Sequence, residues 1–108
     1  QLRLLTDSVP ALISYVDSEL HYRFINRKYT EWFGVEAEQI IGQPVVKIIG
    51  EAAFEKVLPQ LKRALAGEWI TYQQLMPYKT VGNRFVEINL VPDKDAKTGR
   101  VKGFYAFI

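Results

Sequence analysis

The order of patterns along this 108-residue chain predicts an α+β domain: a five-stranded antiparallel sheet with helices on one face. Three observations carry that expectation. Two short β-prone runs open the chain, helical periodicity fills residues 26–66, and three longer β-prone runs close it. Hairpin signals join the last three runs, which makes them antiparallel neighbours. The helical stretch is the one segment long enough to cover a sheet face. With 48% hydrophobic and 24% charged residues, the chain has the composition of one ordinary globular core.

Each element has its own signal. Residues 9–17 (VPALISYVD) run to the turn-forming Asp17, Ser18 and Glu19, and residues 21–25 (HYRFI) return as a hairpin. Asn26 is a good N-cap for a helix over 27–33, with Gly34 as its stop. Residues 36–41 read as a second short helix, with Glu36 and Glu38 at its start and Gly42 at its end. Residues 45–49 are too short to classify. Phe54, Val57, Leu58, Leu61 and Ala64 give residues 51–66 one apolar face, closed by Gly67 and expected to kink at Pro59. Strands follow at 69–76, 84–91 and 100–108, with loops at Gly82-Asn83 and at 92–99.

Alternation assigns faces. Val86, Ile88 and Leu90 are purely aliphatic and are expected to face the helices, opposite Phe85, Glu87, Asn89 and Val91. The last strand is apolar on both parities, so the second sheet face is expected to be covered as well.

Composition narrows the chemistry. There is no cysteine, which removes disulfides, thiolate metal sites and any cysteinyl adduct. A net charge of +2 with interleaved signs gives no footprint for nucleic acid or anionic lipid, and no run is long enough to span a bilayer. A cytoplasmic setting is expected. The single His21 adjoins a turn and reads as a surface histidine. No nucleophile elbow or phosphate-cradling glycine loop is present. Residues 93–99 lack the ligand pattern of a calcium loop and read as a solvated turn. The acidic pairs Glu36/Glu38 and Asp17/Glu19 suit a helix start and a turn. No catalytic residue and no metal site are therefore expected. Aromatic residues make up 13% of the chain, which fits either an aromatic core or a cavity or interface rich in planar side chains.

Residues 9–17, 22–26 (YRFIN), 29–34 (YTEWFG) and 38–42 (EQIIG) resemble the first half of a PAS (Per-Arnt-Sim) sensor domain. Residues 64–67 (ALAG), 89–92 (NLVP) and 99–105 (GRVKGFY) resemble the second half, in the right order. The chain is most similar to the small-ligand subgroup common in bacterial signalling proteins. The resemblance implies a sheet in spatial order 2-1-5-4-3, no catalysis by the domain itself, and a covalently linked output domain such as a histidine kinase or diguanylate cyclase. It departs from two subgroups. The flavin-adduct cysteine is missing near Val45, and the long helix has no histidine for haem. A small organic ligand, or none, remains.

The resemblance places Gln73 and Leu75 on the face of Val86 and Ile88, with Gly103 and Tyr105 beside them. Tyr29, Phe33 and Phe54 would oppose them from the helices and line a cavity. Tyr15, Tyr72, Met76, Phe85, Val91, Phe104 and Ile108 would then point away from the helices as an apolar patch. Residues 1–8, with Leu2, Leu4 and Leu5, are expected to be the end of a helix cut from a longer protein, packing on that patch within one chain or across a homodimer. Three readings stay open: a ligand-responsive sensor, a ligand-free dimerisation or relay module, and, most distantly, a small α+β isomerase-like enzyme.

Overall fold

The structure is a computed structural model and describes residues 6–108. Five strands form one antiparallel sheet in the order β2-β1-β5-β4-β3. They are β1 (Ile13–Asp17), β2 (Tyr22–Ile25), β3 (Ile70–Tyr78), β4 (Gly82–Lys94) and β5 (Val101–Phe107). Four helices among the described residues, α1 (Arg27–Phe33), α2 (Ala37–Ile40), α3 (Val45–Ile49) and α4 (Glu51–Leu65), come between β2 and β3. Residues 45–49, which carry no clear signal, are a single helical turn.

Local chemistry fixes the first hairpin. Asp17 Oδ1 accepts from the amides of Glu19 and His21, both at 3.0 Å, and Oδ2 takes the Arg23 guanidinium at 2.7 Å. Asn26 sits at the start of α1 but makes no side-chain cap there. Its buried amide instead accepts from the Ile13 amide and donates to the carbonyls of Ala11 and Thr6. The first amide of α1, on Arg27, is taken by Asp7 Oδ1 at 2.7 Å. The expected cap has thus become a buried tie between β1 and the chain before it. The long helix α4 runs through the exposed Pro59 as one element, with Ala53, Val57, Leu61 and Ala64 on its buried face.

The last two hairpins differ from expectation in extent. Gly82 and Asn83 belong to β4, paired with Tyr78 and Pro77, and the turn is residues 79–81. Gly82 has φ 77°, the left-handed conformation often found after a three-residue turn. Both strands also absorb a proline. Leu12 and Ile108 exchange backbone hydrogen bonds, so even-numbered β5 residues address β1 and odd-numbered ones address β4. By the same alternation, Pro92 and Pro77 turn their missing N–H to sides with no partner strand, so neither costs a ladder bond.

Register corrects the face assignment. Val86, Ile88 and Leu90 do face the helices, with Ile88 and Leu90 buried. Directly paired residues share a face, and Tyr72 pairs with Ile88 while Ala106 pairs with Leu90. The inward set is therefore Tyr72, Met76, Phe104 and Ala106. Gln73, Leu75, Gly103 and Tyr105 lie on the outer face, opposite to expectation. On β3 and β5 the expected facing is one residue out of phase, and a shift of one flips every side chain. Gly103 is required where it stands, because a Cβ there would collide with the Val16 carbonyl and the Tyr15 hydroxyl.

Candidate functional site

Between the sheet and the helices lies a cavity of about 40 Å³. Its sheet side comes from Ser14 and Val16 on β1, Tyr22 on β2, and Met76 and Tyr78 on β3. Ile88, Leu90, Phe104 and Ala106 extend that floor across β4 and β5, up to Ile108. The helices contribute Tyr29 and Phe33 from α1, Val45 and Ile49 from α3, and Val57 and Leu61 from α4. Among the described residues, no acidic, basic or histidine side chain lines it.

The polar groups in this wall are hydroxyls. Tyr29 donates to Ser14 Oγ at 3.0 Å, deep in the core where Ser14 is fully buried. The Tyr22 and Tyr29 rings meet edge-on at 5.5 Å, and Tyr29 stacks on Phe33 at 5.8 Å. Phe33 and Trp32 both meet Tyr78 edge-on, at 5.7 and 5.8 Å. Burial pushes the Tyr29 hydroxyl up to about 12 and raises Tyr22 and Tyr78 well above the ordinary phenol value. All three stay neutral at physiological pH. The Tyr78 and Tyr72 hydroxyls are buried without a hydrogen-bond partner, an unfavourable state that an added acceptor would relieve.

Of the residues expected to line a cavity, Tyr29, Phe33 and Ile88 do so. Phe54 and Val86 pack against the core but do not reach the cavity. Gln73, Leu75 and Tyr105 lie across the sheet from it. Met76, Phe104 and Ile108, expected on the outer face, are part of the lining, and Tyr72 also points inward. Ser14, Tyr22 and Tyr78 were missed. Ser14 had a readable signal: it shares the parity of Leu12 and Val16, a small hydroxyl in an otherwise aliphatic stripe.

The outer face keeps Tyr15, Phe85 and Val91 as expected. Tyr15 lies across Gly103, donates to Asp93 Oδ2 at 2.7 Å and packs on Tyr105 with ring centroids 4.8 Å apart. Phe85 is 69% exposed and Leu75, its cross-strand partner, 50%. Thr6 and Asp7 are helical, while Leu2, Leu4 and Leu5 lie outside the described residues. His21 bridges to Pro44 through its backbone, and Asp95 folds onto the amides of Lys97 and Thr98. Among the described residues no helix is long and apolar enough to cross a membrane, and no cluster of side chains could hold a metal ion.

A family model described as the PAS fold matches residues 6–108. Among solved structures, the chain is similar to the PAS domain of histidine kinase ThkA, at 20% identity and a TM-score of 0.67, covering 90% of this chain and 95% of that one. It is similar to the PAS domain of BvgS from Bordetella pertussis, at 22% identity and a TM-score of 0.66, covering 99% and 80%. It is also similar to VqmA of Vibrio cholerae in a ligand–DNA complex, at 18% identity and a TM-score of 0.79, covering 99% of this chain but 50% of VqmA. The chain thus spans half of that protein. No curated protein sequence matches it.

Proposed function

The chain belongs to the PAS fold family, and on that premise we propose that it is the sensory module of a signal-transduction protein, one that holds a small molecule in its core cavity. The observation that carries this reading is an apolar cavity whose lining includes Tyr78, a residue with a buried, unpartnered hydroxyl. Occupancy would shift how the sheet and the chain after Ile108 are held, and so bias a linked output domain. The domain supplies no chemistry of its own. Native mass spectrometry of gently purified protein tests this. A bound small molecule released on activation is expected; a bare mass, with no thermal shift on adding a cell-extract metabolite fraction, overturns it.

The output side is open to more than kinases. The expectation that nucleic acid plays no part is weakened, because VqmA, half of which this chain resembles, is known in a complex with DNA.

A second reading, a homodimer through the outer sheet face and the N-terminal segment, is favoured by the exposed aromatics there. Phe85, Tyr105 and Phe107 all lie on that face, at 69%, 40% and 38% exposure. Sedimentation with and without residues 1–8 tests it, and a monomer in both forms excludes it.

A further inference from the structure

We infer that the cavity selects a small uncharged molecule that offers a hydrogen-bond acceptor to the Tyr78 hydroxyl. This rests on the sensory reading above and adds the chemical class of the ligand.

Size comes from volume. The cavity measures about 40 Å³. The space is small, so the guest is a small molecule. Selection against charge comes from the wall. With no ionised side chain among the described residues lining it, an entering carboxylate or ammonium loses its hydration and gains no counter-ion. The phenols cannot supply that counter-charge, because burial keeps Tyr22, Tyr29 and Tyr78 protonated.

Polarity within the neutral class comes from hydrogen-bond satisfaction. The Tyr29 proton is committed to Ser14, whereas the buried Tyr78 hydroxyl has no acceptor. A ligand oxygen against Tyr78 fills that vacancy, and an apolar guest does not. Tyr72 is orphaned as well, but it does not line the cavity.

Acetamide, acetate and acetamidinium are planar probes of one shape and three charges, and xenon reports the cavity without hydrogen bonding. Each is titrated into isotope-labelled protein, following the amide signals of Ser14, Met76 and Ile88. Acetamide should bind saturably, no tighter than about 40 µM for a ligand of this size. Acetate and acetamidinium should bind at least about tenfold more weakly. Tyr78→Phe should weaken acetamide about five- to tenfold and leave xenon uptake unchanged. That variant loses no protein hydrogen bond, so it is expected to fold. A charged probe that matches acetamide, or acetamide binding indifferent to Tyr78→Phe, overturns the inference. Xenon entering where acetamide does not overturns it too, yet leaves the cavity reading intact. Exclusion of every probe, xenon included, overturns the cavity reading itself.

Discussion

Asn26 reads in the sequence as a helix cap, and its side chain instead bonds three backbone groups: the Ile13 amide at 3.1 Å, the Ala11 carbonyl at 2.7 Å and the Thr6 carbonyl at 3.0 Å. Replacing it by alanine strands the Ile13 amide and the Ala11 carbonyl at a site where Asn26 is 1% exposed, while the Thr6 carbonyl keeps the Val9 amide at 3.2 Å. Asn26→Ala should therefore cost about 2–4 kcal/mol in urea unfolding, well above the loss of an exposed cap. A cost under about 1 kcal/mol would return it to a capping role. On β4, Ile88 is 1% exposed and its neighbour Glu87 faces water. Ile88→Ala should lose about 2–5 kcal/mol by cavity formation, and Glu87→Ala under about 0.5 kcal/mol. Equal small losses would contradict the facing of this strand. That facing was legible because Val86, Ile88 and Leu90 are aliphatic without exception. On β3 it was not, because each parity mixes polar and apolar: Gln73 with Leu75, Tyr72 with Gln74 and Met76. Tyrosine defeats such a reading most readily, since its ring suits the core and its hydroxyl suits water. This is also why Tyr22 and Tyr78 were absent from the expected site.

Elements were legible where punctuation is local and obscure where it is tertiary. The stops at Gly34 and Gly67 and the apolar face of α4 are visible in short windows of sequence. The true lengths of β3 and β4 are not, because Pro77 and Pro92 look like strand ends until their N–H sides are known to face no partner. The β1–β2 turn was read correctly as a cluster of turn formers, and its organiser is Asp17. Partial burial opposes ionisation there, but the His21 amide, the Arg23 guanidinium and the Glu19 amide outweigh it and hold the carboxyl below the usual range. A depressed folded value stabilises the fold above the unfolded carboxylate value of about 3.9, and the stability is lost as pH falls through the folded value. Urea midpoints measured from pH 6 downward should therefore fall less steeply below about pH 4 in Asp17→Asn than in the parent. Parallel curves for the two proteins would mean that the turn does not depend on the charge.

At the scale of the molecule, the two sheet faces are unequal in kind. The inner one is covered by four helices around a mainly apolar cavity, and the outer one presents apolar rows to its surroundings. One row pairs Tyr15 with Tyr105 and Tyr105 with Val91, and Tyr15 is anchored to Asp93. A second, at the far end of the β3–β4 hairpin, pairs Leu75 with Phe85, and a polar row of Gln73 and Glu87 separates the two. Contact with a second copy would remove the Leu75–Phe85 row from water while touching nothing that the inner core needs. Leu75→Ser with Phe85→Ser should therefore leave the melting temperature nearly unchanged, since both side chains are already 50% and 69% exposed. The same double variant should sediment as a monomer at concentrations where the parent is a dimer. A parent that stays monomeric throughout, or a variant that dimerises as well as the parent, would take this row out of any interface and leave the Tyr15–Tyr105 side as the surface to examine.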